Sequence, residues 1–91
     1  MNPMKNVKTQ TVSVSGTSAA TTDAFGDSTT TIRVVSTTDC YLKFGAAPVA
    51  TSSNMLLPAN VVEYFAATPG VKLAAIQKTV SGTLYVTEMT K

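Results

Sequence analysis

The stretch TIRVVSTTDCYLKFG, residues 31–45, decides the fold class of this chain. In its first half Ile32 and Val34 share one side of the backbone, and Arg33 points to the other. The polar run STTD in the middle is typical of a tight turn. Alternation with a period of two is the pattern of a half-buried β-strand. The stretch therefore predicts two short strands joined by a turn.

The second half of the stretch assigns residues to the core in the same way. Cys40, Leu42 and Phe44 share the predicted core face, while Tyr41 and Lys43 point away from it. Cys40 is therefore interpreted as a small buried hydrophobe rather than a nucleophile. Lys43, like the outward-pointing arginine of the first half, is interpreted as part of a solvated face.

The same period recurs on both sides of residues 31–45. Val12 and Val14 alternate with Thr and Ser in a strand that begins at Val7, and Leu84 and Val86 do so near the end of the chain. Between them the predicted strands and apolar pieces are 29–36, 40–45, 55–58, 61–67, 71–77 and 83–89. Turn signals such as Pro-Gly separate them at roughly ten-residue spacing. The pattern predicts an all-β domain of six to eight short antiparallel strands, either a small β-sandwich or a jelly roll, with a small barrel as the alternative.

Two segments outside these strands are predicted to be irregular. Residues 16–27 are rich in Gly, Ser, Thr and Ala and are predicted to form a loop, with room for a short edge strand and with Phe25 folded back onto the domain. Residues 1–6 carry no periodic pattern and are expected to be a flexible arm preceding a single domain, 7–91. We expect no signal peptide, because no apolar stretch follows the first residues.

The composition limits both stability and function. With 91 residues, 13% charged residues and a formal net charge of +2, the chain has a thin core and no basic stripe that would indicate a nucleic-acid partner. Its single cysteine excludes a disulfide between two residues of one chain, and its lack of histidine argues against zinc. Burial against another subunit is the remaining source of stability, so we expect a homo-oligomer, either a dimer or a trimer.

Residues that would support catalysis are missing from the sequence. The absence of His removes the commonest general base, the acidic residues form no recognisable pair, and the glycines form no phosphate loop. We therefore expect no enzymatic activity and no cofactor. No apolar run approaches the length needed to cross a bilayer, so no membrane partner is expected either.

Two segments are candidates for subunit contacts. The first is the basic and apolar segment Met1–Lys8, which could pair along a neighbour's sheet edge. The second is the strand 61–67, which is apolar on both faces and is therefore predicted to be central in a sandwich or covered by a neighbour. The candidate interface residues are Met1, Met4, Lys5, Lys8, Val61, Glu63, Tyr64 and Phe65.

Three stretches of the sequence carry a resemblance to a known class of proteins. They are TIRVVSTTDCYLKFGAAPVA at 31–50, MLLPANVVEYFAATPGVKLAAIQ at 55–77 and SGTLYVTEM at 81–89. Together they resemble small structural proteins of tailed bacteriophages and prophages, over about residues 30–89. The shared features are turns and strand phases, so no active site is carried over.

The resemblance implies a virion component, most often a capsid decoration or cement protein. Its expected partners are the major capsid protein or other virion subunits, and its expected location is the virion, after synthesis in the host cytoplasm. The alternative is a tail or surface module that binds carbohydrate through exposed tyrosines such as Tyr41 or Tyr85. The lack of Trp weakens that alternative, because Trp offers the largest stacking face.

Overall fold

A computed structural model describes residues 5–27 and 29–90, with side chains from residue 8 onward. The described residues form an all-β domain without helices. Its strands in chain order are β1 Lys5–Val14, β2 Ala19–Ala20, β3 Thr31–Ser36, β4 Cys40–Gly45, β5 Met55–Leu57, β6 Glu63–Ala66, β7 Lys72–Gln77 and β8 Gly82–Thr90. The all-β prediction and the strand spacing are confirmed.

The strands form two antiparallel four-stranded sheets. Sheet A has the order β1-β8-β3-β6, and sheet B has the order β2-β7-β4-β5. The first strand pairs with the last, the second with the second last, and so on inward: β1 with β8, β2 with β7, β3 with β6 and β4 with β5. This nested pairing, with four strands in each sheet, is the topology of an eight-stranded jelly roll.

The core lies between the sheets and consists of the residues that the period of two assigns to one face. Ile32 and Val34 from β3 and Leu84 and Val86 from β8 are all inaccessible to solvent. The remaining core residues are Val12, Val14, Phe25, Cys40, Leu42, Leu57, Leu73 and Ala75. The predicted inward faces of β1, β3, β4 and β8 are thus confirmed, as is the burial of the phenylalanine in the 16–27 loop.

The turn at 37–39 carries the chain from one sheet to the other. The strands β3 and β4 that flank it belong to different sheets. Thr37 N–H donates to Thr83 O, and the Asp39 carboxylate accepts from Ala59 N–H at 2.7 Å. Asn60 N–H in turn donates to Ser36 O at 2.8 Å. The first bond ties the β3–β4 turn to β8, and the other two tie the turn and the end of β3 to the β5–β6 connection.

A buried carboxylate anchors the loop that precedes β3. Glu88 lies on the core face of β8 and is 2% exposed. Its Oε1 accepts from Gly26 N–H at 2.9 Å and from the Thr29 hydroxyl at 2.8 Å. Gln10 holds the same loop from β1, with bonds in both directions to the backbone of Asp23. Buried acceptors on sheet A thereby replace the backbone partners that a strand would have supplied.

The prediction that strand 61–67 is central in a sandwich is wrong. The strand β6 covers only Glu63–Ala66 and lies at the edge of sheet A, paired with β3 alone. Phe65 shares the core face with Ile32, its partner in register, whereas Tyr64 points outward and is 55% exposed. A run that is apolar on both faces belongs here to an edge strand whose outer face is open to solvent.

At the other edge of sheet A, β1 begins at Lys5. Lys5 pairs with Thr90 and Asn6 with Met89, followed by a register shift before Lys8. The strand therefore includes two residues of the predicted arm. The first four residues, with Met1 and Met4, lie outside the described part of the chain.

Candidate interaction surface

An apolar rim runs along the connection between the two sheets. Met55, Leu56, Val61 and Val62 are 38–45% exposed and lie on one short stretch of chain from β5 to the start of β6. The backbone N–H groups of Ala59 and Asn60, which lie between these residues, bond to Asp39 and Ser36 and hold the stretch against the β3–β4 turn. Several large apolar side chains exposed along one stretch of chain are a feature of sites that contact another molecule. We call these four residues the apolar rim.

The outer face of sheet A is rich in Thr and also carries two Tyr. Its central residue is Arg33, which is half-buried and pairs in register with Tyr64 on one side and Thr87 on the other. Tyr85, 41% exposed, pairs with Val35 in the next row. Tyr and Arg are the side chains most enriched in the energetic centres of protein interfaces.

An apolar cleft opens between the two sheets. The strand β5 pairs only with Cys40–Leu42 of β4, although β7 pairs with β4 as far as Gly45. Beyond Met55, the first residue of β5, a cleft of about 390 Å³ is lined by Phe44, Gly45, Phe65, Ala66, Thr68 and Val71. The rings of Phe44 and Phe65 meet edge to face in it, with centroids 5.3 Å apart. Residues of both sheets, most of them apolar, thus line the cleft.

The structure separates the two groups of predicted interface residues. Lys8 lies on β1 and forms an ion pair with Asp23. Val61, Glu63 and Tyr64 lie in or beside β6, three strand spacings away, or about 14 Å across sheet A. Phe65 points inward to the cleft. Of the arm residues, Met1 and Met4 lie outside the described part, and of Lys5 only the backbone is described.

Several surface residues were missed because the sequence does not reveal which strands are at the edges. Met55 and Leu56 belong to a three-residue edge strand, and Val62 to the connection that follows it. Tyr85 was assigned only to a sugar-binding alternative. Its place opposite Val35, beside the Arg33 row, depends on the pairing of β8 with β3, which joins residues about 50 positions apart.

The described residues contain no group of three or more metal-ligating side chains. Among them there is also no helix long and apolar enough to cross a bilayer. The single cysteine, Cys40, is fully buried in the core cluster. Burial raises the pKa of its thiol, so the thiolate that would act as a nucleophile is disfavoured.

We expect this thiol to be protected from labelling in the folded protein. At pH 8 a thiol reagent should modify Cys40 only as fast as the domain opens, and at full speed in urea. A T11C variant, with a cysteine on the exposed outer face of β1, should react at once. The folded state binds the thiol proton more tightly than the unfolded state does. The contribution of Cys40 to the free energy of unfolding is therefore fully present below the ordinary thiol pKa of about 8.5, and it is lost as the pH rises through the raised pKa of the folded state. Rapid labelling of native Cys40 would contradict its buried position.

Comparison of the chain with family models, curated proteins and solved structures finds no match.

Proposed function

We propose that this protein is a non-enzymatic structural component of a phage particle, a capsid decoration or cement protein. It would bind the assembled shell and stabilise it through contacts between subunits. A ligand that binds only the assembled shell stabilises that shell by mass action. No chemical step is needed for this role, only a surface that fits the shell.

The observation that carries the proposal is the apolar rim beside the open edge of β6. Four large apolar side chains are exposed along one stretch of chain, from β5 to the start of β6. In a thin domain of 91 residues, so much exposed apolar area is costly unless another subunit covers it. A shell surface or a neighbouring subunit would supply that cover.

The topology supports the proposal at the level of fold. Eight-stranded jelly rolls are used by viral capsid proteins and also by lectins, so the fold is one that serves virion proteins. The resemblance of residues 30–89 to small phage structural proteins points in the same direction.

The test is the rebinding of purified protein to particles of a phage whose gene for this protein has been deleted. Wild-type protein should co-sediment with these shells at a fixed copy number. The variant V62D places a charge on the apolar rim and should weaken binding by more than about tenfold, since burying an unpaired charge costs several kcal/mol.

The matched control is V49D. Val49 is 67% exposed, and its neighbour Ala50 donates to Ser18 Oγ at 2.8 Å, close to the start of β2, the strand at the far edge of sheet B from the rim. V49D should bind as the wild type does. Particles that neither contain nor take up the wild-type protein would refute the proposal, and equal binding of V62D and V49D would refute the role of the rim.

A carbohydrate-binding module is the second candidate. It is favoured by the exposure of Tyr64 and Tyr85 on the outer face of sheet A, which also carries Thr9, Thr11 and Thr87. Tyrosine rings on a sheet face can stack on sugars. Glycan-array binding that is lost in Y64A and Y85A would support this candidate, and an array without signal would remove it.

A further inference from the structure

We propose that copies of this chain associate head to tail, with the outer face of sheet A of one copy against the apolar rim of the next. In this contact Arg33 of one copy meets Glu63 of its neighbour. The inference deepens the proposed function, on which it rests for its biological setting, by naming the surfaces through which subunits of the protein join. Its physical basis is a pair of complementary surfaces on one molecule.

The first surface lacks acidic residues. Glu63 and Glu88, the acidic residues of the strands of sheet A, both lie in the core-facing phase, since Glu63 pairs with Val34 and Glu88 with Ile32. The three aspartates of the chain lie outside all strands. Lys8 shares the core-facing phase of its partner Glu88, so Arg33 is the single charge among the outward side chains that the structure describes on the strands of sheet A. A partner that covers this face must bring a carboxylate, because a guanidinium buried without one is costly.

The second surface carries that carboxylate. Glu63 follows the apolar rim directly and is exposed at the edge of sheet A. Within the described residues, the ion pair between Lys8 and Asp23 is the only salt bridge, and neither Arg33 nor Glu63 takes part in it. In the proposed contact, the apolar rim and Glu63 of one copy thus face the tyrosines and Arg33 of the next copy. Such charge complementarity favours specific association.

Symmetric pairing of two outer faces is disfavoured. A twofold contact centred on the outer face of sheet A would bring Arg33 against its own copy, and like charges facing each other in an interface cost affinity. A head-to-tail contact avoids this clash. The two surfaces lie on adjacent sides of β6 rather than on opposite sides of the molecule, so successive copies turn and can close a ring of three or more.

The experiment is a charge swap with solution mass as its readout. Size exclusion coupled to light scattering at micromolar concentration should give the wild type a mass of three or more copies of the 9.5 kDa chain. R33E and E63R should each raise the dissociation constant by more than about tenfold and shift the mass to the monomer. The double variant R33E/E63R restores opposite charges and should recover the wild-type mass.

The control is K43E, which reverses an exposed charge on the outer face of sheet B and should leave the mass unchanged. Far-UV circular dichroism of each variant should give the wild-type β-sheet spectrum, which checks that the variant is folded. A monomeric wild type, a twofold dimer, or a double variant that folds but stays monomeric would each overturn the inference. Rebinding of a monomeric wild type to shells would leave the proposed function standing, so the two failures are distinguishable.

Discussion

Replacing Glu88 with alanine is expected to lower the free energy of unfolding by about 2–4 kcal/mol, because one buried and one part-buried donor lose a buried acceptor. Gly26 N–H and the Thr29 hydroxyl both bond to Glu88 Oε1, and neither has a strand partner that could replace it. The loop between β2 and β3 should loosen first. Urea unfolding followed by circular dichroism measures the loss, and hydrogen exchange at Gly26 locates it.

The control for this prediction is E88Q. Glutamine keeps the shape of the side chain and can present an amide oxygen to the same two donors, so its cost should be less than half that of E88A. Equal losses for the two variants would mean that charge, not hydrogen bonding, holds the loop. No loss in E88A would show that Glu88 does not anchor the loop at all.

Adding a single methyl group at Gly82 is expected to destabilise the domain by about 1–3 kcal/mol through overpacking. A Cβ atom at this position would lie 2.5 Å from both Thr37 Oγ1 and Thr38 Oγ1, and 2.8 Å from Thr38 Cγ2. Thr37 Oγ1 accepts from Thr83 N–H at 2.9 Å, so it cannot turn aside without losing that bond. Thermal and urea unfolding of G82A measure the effect.

Gly16 is the matched control, because a Cβ atom there would meet only Gln77 Nε2, at 3.8 Å. G16A should be neutral or slightly stabilising, since alanine narrows the unfolded ensemble. If G82A were as stable as G16A, the close approach of β8 to the β3–β4 turn would be wrong.

The strands and their core faces could be predicted because they depend on local alternation. Val12 and Val14, and likewise Leu84 and Val86, occupy the core positions that the period of two assigns to them. The turn at Pro69-Gly70 was equally local: Val71 N–H bonds to Thr68 O, and Gly70 adopts a φ of 84°. This conformation suits glycine because it has no side chain.

The sheet order could not be predicted in this way, because it depends on pairings between distant residues. Arg33 and Lys43 both point outward as expected, yet they lie on different sheets. The apolar run 61–67 suggested a central strand because hydrophobicity alone does not distinguish burial in a core from exposure at an edge. Likewise, nothing local marked Glu88 as a buried anchor, since its donors lie about 60 positions away in the chain.

The most direct test of the proposed role in the virion is the resistance of particles to heat and osmotic shock with and without this protein. We expect particles from a phage whose gene is deleted to release their DNA at lower temperature and after milder osmotic shock than wild-type particles. Addition of purified protein should restore the resistance. Deleted and wild-type particles that fail at the same temperature and the same osmotic step would contradict the cement role.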